Sequence, residues 1–239
     1  HLNVFCPMRD SFDPSVADDA NREDAPLLPI VFYVHGGAGK LGTCHDEELS
    51  GRRLAQRQRV VYVAPNYRLG ALGFLAHPAL AAEDTAAAAT AASGGDAAPV
   101  AGCGSYAVLD LIAALIWVRQ HGTSFGGDVD NVTIWGLSTG AQLVATLLVS
   151  PAADGLFHRA FVQSCTDLVN ERDLSVRLAV WRQKSAQEWG RDLGEHLECG
   201  AAGRTAEDEA SQLSRMRSLP VESRVDARWD EPATDCYEP

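Results

Sequence analysis

Lysine is nearly absent: Lys40 and Lys184 are the only two among 20 basic residues, which face 32 acidic ones for a net charge of −12. Phosphate contacts need clustered positive charge, so this balance argues against nucleic acid or anionic membrane as a partner. It does not identify a positive partner, because acidity by itself serves solubility. No apolar run approaches the length of a membrane span, and no targeting segment is visible. No initiating methionine precedes HLNVFCP, which already reads as a strand, so the N-terminus is expected to be cut. C-x-x-C spacing is missing as well. Cys6, Cys44, Cys103, Cys165, Cys199 and Cys236 are scattered, which argues against a zinc cluster, and no metal or other cofactor is expected. The even count permits disulfides, and buried free thiols fit equally well.

What is present suits a globular chain. The 239 residues suffice for one large domain or two small ones, and 46% are hydrophobic. Four nearly continuous apolar runs, 30–35 (IVFYVH), 60–65 (VVYVAP), 132–136 (VTIWG) and 160–164 (AFVQS), read as central strands covered on both faces. Between them lie helical candidates at 106–120 and 141–149, both apolar on most sides. A third, 174–197, places Leu174, Leu178, Trp181, Trp189, Leu193 and Leu197 on one stripe. Strands alternating with helices predict an α/β fold with a parallel sheet. The Ala/Gly/Ser-rich stretch 79–101 carries no apolar stripe and reads as a long, partly disordered insertion. The acidic stretch 221–239 is expected not to pack.

Residues 136–140 read G-L-S-T-G. Two glycines and one serine at fixed positions, each about 7% frequent, arise by chance in roughly 8% of chains this long, so context must decide. A strand runs directly into the motif and an apolar helix runs out of it. A serine on such a turn takes a strained backbone conformation that lifts its hydroxyl clear of the sheet. Gly136 and Gly140 stand where the flanking residues would crowd each other. The helix start aims free N–H groups at the reacting centre, and the Thr139 N–H can serve an oxyanion. The plainer reading is a glycine-rich turn with Ser138 as a helix cap. HGGAG (35–39) follows the first central strand and offers further main-chain donors at Gly37 and Ala38. Each oxyanion donor lowers a barrier by roughly 2.7–4 kcal/mol.

Six stretches occur in a characteristic order: 2–7 (LNVFCP), 28–39 (LPIVFYVHGGAG), 66–75 (NYRLGALGFL), 109–121 (LDLIAALIWVRQH), 125–141 (FGGDVDNVTIWGLSTGA) and 155–164 (GLFHRAFVQS). Together they resemble the type-B carboxylesterase/cholinesterase family of α/β-hydrolases, from residue 2 to about 220. The resemblance implies a serine ester hydrolase with a mostly parallel central sheet, acting on a small-molecule carboxylic ester through an acyl-serine. It gives Ser138 the acyl-carrying role and makes Gly37, Ala38 and Thr139 the oxyanion-hole donors. Arg68 and Asp128 become a structural pair fixing the loops before the elbow. Family members are often secreted or lie in the secretory lumen.

The departures carry information too. Leu137 replaces the glutamate usual before the serine, and Gly39 replaces a common aromatic. Asp110 survives from a longer family segment whose Asn, second Gly and Gln are lost. Cys165 takes a glycine's place. Cys199 matches one half of a family disulfide whose other half is Arg215, so Cys199 is expected to be free. In the family the triad acid and histidine come from the C-terminal half of the domain, and no residue of this chain matches either. His158 and His196 follow Ser138 but have other readings, as do His35, His45, His77 and His121. The resemblance therefore leads one to expect an N-terminal portion of an esterase domain with little or no turnover of its own, and an open apolar sheet edge. Two other readings stand beside it: a non-catalytic, neuroligin-like member of the same fold that binds a protein partner, and a remnant without function.

Overall fold

The computed structural model describes residues 1–7, 26–45, 51–92, 102–165, 185–200 and 205–225. They fall into two compact units, His1–Tyr67 with Asp110–Val169 and Arg68–Leu109 with Asn170–Pro239.

The first unit is built on a five-stranded sheet. Its strands are β1 (Leu2–Phe5), β2 (Leu28–Val34), β3 (Val61–Pro65), β4 (Gly127–Leu137) and β5 (Arg159–Gln163), in the order β1-β3-β2-β4-β5. β1 runs antiparallel to β3, and the other pairs are parallel. Register sorts the side chains onto two faces. Ile30 lies opposite Val61 and Val132, and Phe32 opposite Val63 and Ile134. All six are at most 2% exposed. Helix α5 (Thr139–Val149) lies against β2, β4 and β5 and buries Leu143, Val144 and Leu147. The other face carries one aromatic residue per strand. Phe5 meets Tyr62, Tyr62 stacks on Tyr33, Tyr33 meets Trp135 edge-on, and Trp135 meets Phe161. Helix α1 (Arg52–Gln58) packs Leu54 and Ala55 near the Tyr62 end of this row. At the other end Phe161 is 54% exposed.

All four strands expected from the sequence are present, with β2 and β4 longer than their apolar cores, but β5 corrects one expectation: it stands at the edge of the described sheet and is exposed along its length rather than covered on both faces. The extension of β4 is polar and contains an irregularity, because the register jumps from Pro29↔Asp128 to Ile30↔Val132. Helix α4 (Tyr106–His121) occupies the expected span, with Leu111, Leu115 and Val118 wholly buried.

The second unit is helical and corrects three expectations. The Ala-rich stretch is, over Pro78–Ala92, helix α3. Alanine has the highest helix propensity and proline suits the first helical position, so no apolar stripe is required. The His77 Nδ1 accepts the Ala79 N–H at 3.2 Å and caps the start. Residues 93–101 lie outside the described residues. The expected 174–197 helix is interrupted at Ser185: α6 (Ala186–His196) begins there at a capping box in which Ser185 and Glu188 satisfy each other's N–H groups. Leu174, Leu178 and Trp181 lie outside the described residues. α7 (Ala206–Ser218) follows, and then Val221–Val225 forms the short helix α8 near α2 (Gly70–Phe74), although this stretch was expected not to pack. Residues 226–239 are not described. Leu193, Cys199 and Met216 form a core patch with Ala71, Leu75 and Leu219 around them. Cys199 is a free, buried thiol, as expected, and Arg215 donates to its carbonyl at 3.5 Å.

Candidate active site

The strand order places a switch point between β2 and β4, since the chain steps from β2 to β3 on one side and from β4 to β5 on the other. In open α/β sheets, ligands bind beyond the carboxyl ends of the strands at such a point. The two segments singled out in the sequence leave the sheet there. HGGAG follows β2, and G-L-S-T-G joins β4 to α5.

Ser138 stands at φ 55°, ψ −124°, a region that side-chain-bearing residues avoid. Holding it there costs about 1–3 kcal/mol, so its surroundings must impose it. The Ser138 N–H donates to the Gln163 carbonyl of β5 at 3.0 Å, and the Ser138 carbonyl accepts from Ala141 and Gln142 at 2.8 and 3.1 Å. A methyl group on Gly136 would strike the Gly140 carbonyl, and one on Gly140 would strike the Val34 carbonyl. The strand and the helix thus approach as closely as bare backbone allows. The oxyanion-loop candidate is equally near: a Cβ on Gly36 would lie 3.2 Å from the Ser138 Cβ.

The structure brings Gly37, Ala38 and Thr139 to this one end of the sheet. Gly37 and Ala38 both have positive φ, 119° and 54°. Their loop closes tightly, with the Gly37 carbonyl accepting from Lys40 and Leu41, each at 3.0 Å. Thr139 opens α5, where the first N–H groups have no intrahelical acceptor. Among the described residues, no acceptor engages the N–H of Gly37, Ala38 or Thr139. Main-chain N–H groups without an acceptor can stabilise a developing oxyanion.

Arg68 and Asp128 belong to different units. Arg68 donates to the Tyr106 carbonyl at 3.4 Å and lies over its ring. The Asp128 carboxylate accepts the Asp130 N–H at 3.0 Å.

The seven histidines have other placements. The Nδ1 of His158 accepts the Val132 N–H at 3.1 Å and joins the start of β5 to β4. His196 is exposed on α6. His77 is wholly buried between Ala79 and Gln212, 2.9 Å from the Gln212 Oε1. His121 meets Trp117 with the rings tilted at 44°, and His45 accepts from Asn3 at 3.0 Å. His1 lies at the site end of β1, three strands from β4, or about 14 Å at the usual strand spacing. His35 adjoins the site and is buried; burial lowers its pKa, and a hydrogen bond to the Gly36 carbonyl opposes this.

Sequence reasoning missed Tyr67. Its hydroxyl donates to the His35 carbonyl at 2.7 Å, and its ring stacks on the imidazole at 4.4 Å. The signal was the tyrosine two residues beyond β3, in a motif read only for Arg68.

Residues 1–86 and 97–237 match the family model described as the carboxylesterase family. The chain is 31% identical to carboxylesterase 5A of Felis catus over 95% of its own length and 33% of that protein. It is 33% identical to neuroligin-3 of Mus musculus over 69% of its length and 18% of that protein. The solved carboxylesterase of Geobacillus stearothermophilus superposes with a TM-score of 0.68 at 28% identity, over 95% of this chain and 39% of that one. The chain therefore spans a third or less of these curated relatives, and its sheet is part of an α/β-hydrolase fold. It belongs to the carboxylesterase family.

Proposed function

We propose that Ser138 is the acyl-carrying nucleophile of a carboxylic ester hydrolase, with the N–H groups of Gly37, Ala38 and Thr139 as its oxyanion hole. The observation that carries this is the positive-φ Ser138, held between Gly136 and Gly140 at the sheet's switch point, with the HGGAG loop against it at Gly36. In the reaction the serine oxygen adds to the ester carbonyl, and the tetrahedral oxyanion settles among those donors. The alcohol then leaves, and water releases the acyl group by the same path.

A serine hydroxyl needs a base to take its proton. None of the seven histidines is placed for that role, and the triad acid and histidine have no counterpart among residues 1–239. We propose that the 239-residue chain hydrolyses esters slowly or not at all. When a triad member is removed, the oxyanion hole and binding alone leave about 10³–10⁴-fold over water. The test is labelling of the chain by a fluorophosphonate, compared with Ser138→Ala, alongside turnover of p-nitrophenyl butyrate. Slow labelling confined to Ser138, with little turnover, is expected. Rapid Ser138-dependent turnover refutes the absence of a base, and labelling unaffected by Ser138→Ala refutes the nucleophile.

The relation to neuroligin-3 and Leu137 at the glutamate's usual place favour a second reading, in which the fold presents a surface to a protein partner. A Ser138 inert to fluorophosphonate supports that reading over the first.

A further inference from the structure

Three successive carbonyls of the HGGAG loop are tied down. The His35 carbonyl accepts from the Tyr67 hydroxyl at 2.7 Å. The Gly36 carbonyl accepts from the His35 Nδ1 at 2.8 Å. The Gly37 carbonyl accepts from Lys40 and Leu41 at 3.0 Å. A trans peptide unit points its N–H opposite to its C=O. Fixing the Gly36 carbonyl therefore fixes the Gly37 N–H, and fixing the Gly37 carbonyl fixes the Ala38 N–H. The backbone turn accomplishes the second. The first depends on one side chain, the imidazole of His35.

That imidazole is itself held. Tyr67 stacks on it at 4.4 Å with the ring planes 17° apart, and the same tyrosine's hydroxyl grips the His35 carbonyl. The two residues are 3% and 4% exposed. Gly42 closes the other side; any side chain there would meet the His35 Nδ1 and the Gly36 carbonyl. A carbonyl only accepts, so the Nδ1 carries the proton. The Nε2 is then a bare lone pair, buried without a protein partner among the described residues.

We propose that His35, locked by Tyr67 as its Nδ1–H tautomer, is a positioning residue that aims the Gly37 N–H at the oxyanion. This rests on the reading of Ser138 as nucleophile. Asparagine carries its amide nitrogen where the Nδ1 stands, whereas glutamine carries it one bond further, toward the Nε2. His35→Asn should therefore preserve the alignment, and His35→Gln and His35→Ala should lose it. Tyr67→Phe keeps the stacked ring and loses only the grip on the carbonyl.

The experiment uses the 239-residue chain. Nitrogen-15 NMR of the wild-type ring is expected to show the proton on the Nδ1 and a bare Nε2. Fluorophosphonate labelling of Ser138 is expected to stay within about threefold of wild type in His35→Asn. Misplacement of a reacting group by about 1 Å costs up to about a hundredfold, so His35→Gln, His35→Ala and Tyr67→Phe are expected to slow labelling by about ten- to a hundredfold. A proton on the Nε2 overturns the proposal, as does equal labelling of the Asn, Gln and Ala variants. If wild type labels no faster than Ser138→Ala, the nucleophile reading fails by itself. The ring tautomer and the Gly37 amide cross-peak then decide the clamp: a peak unmoved in His35→Asn and displaced in His35→Gln upholds it, and the reverse overturns it.

Discussion

Replacing Gly140 by alanine adds one methyl group where the chain has no room for it. The new Cβ would strike the Val34 carbonyl oxygen, with the Val34 carbon 2.8 Å and the His35 carbonyl oxygen 2.7 Å away. These are backbone atoms at the end of β2, which is paired on both sides, so they cannot swing aside as a side chain would. Overpacking of this kind costs typically about 1–3 kcal/mol, and the rigid obstacle argues for the upper end. Helix propensity acts the other way, since alanine is favoured over glycine by at most about 1 kcal/mol. The net expectation is a loss of about 2 kcal/mol, or roughly 4–8 °C in melting temperature for a chain of this size. The start of α5 must also move, carrying the Thr139 N–H with it, so Ser138 labelling should slow by up to about a hundredfold. Gly122→Ala is the comparison, because its Cβ would meet only side-chain ends of Ile30 and Val129, each at 3.0 Å. Thermal melts read the loss, and hydrogen exchange across β2 and α5 locates it. If Gly140→Ala is as stable as wild type or more so, propensity outweighs the clash and the close-approach account of the elbow is wrong.

In the second unit, Gln212 donates to the Arg191 and Gly200 carbonyls at 3.2 and 2.7 Å and accepts from the His77 Nε2 at 2.9 Å. Gln212→Leu strands the buried His77 Nε2 at about 1–3 kcal/mol and leaves two part-buried carbonyls that water can reach, so urea melts should show a loss of about 2 kcal/mol; a loss below about 1 kcal/mol would refute the hub. His35 gives a pH dependence. Burial lowers its folded pKa, so the unfolded chain binds the proton more readily, and the contribution is complete above the unfolded value of about 6.5. Stability should fall as pH drops through that value, by at most about 1.4 kcal/mol per pH unit for one proton, and urea melts of His35→Asn should lack this component. Phe161 and Val162 on β5 are 54% and 36% exposed at the edge of the described sheet. The chain should self-associate through this edge strand, and Phe161→Lys should raise the monomer fraction in light scattering; an unchanged distribution would exclude this strand.

β3 is legible because a strand covered on both faces must be apolar at nearly every position, whereas β5 also reads as an apolar run in sequence yet is exposed along its length. The same logic hid the beginning of β4. Gly127–Asn131 extends the strand through polar residues and an irregular register, and no alternation survives there to be read. α3 escapes the pattern for a different reason. The pattern test asks which face is apolar, and Pro78–Ala92 is nearly uniform; propensity and a buried histidine cap decide it instead. The start of α6 is set by the capping box at Ser185 and Glu188, a signal the apolar stripe running through it conceals.

The elbow could be read in a few residues because its requirements are steric and local. What could not be read is the support behind it. His35 and Tyr67 lie 32 positions apart in sequence and meet only because β3 returns beside β2. The backbone at Ser138 adds an argument that pattern matching does not contain. A turn that served only to reverse the chain at φ 55° would be cheapest with glycine at that position. This chain has glycines two residues away on either side, where a methyl group would clash, and a serine at the strained position itself. The strain of about 1–3 kcal/mol is retained together with a hydroxyl that makes no capping hydrogen bond to α5. Packing gives no reason for a side chain there, and the nucleophilic role we propose for Ser138 would supply one.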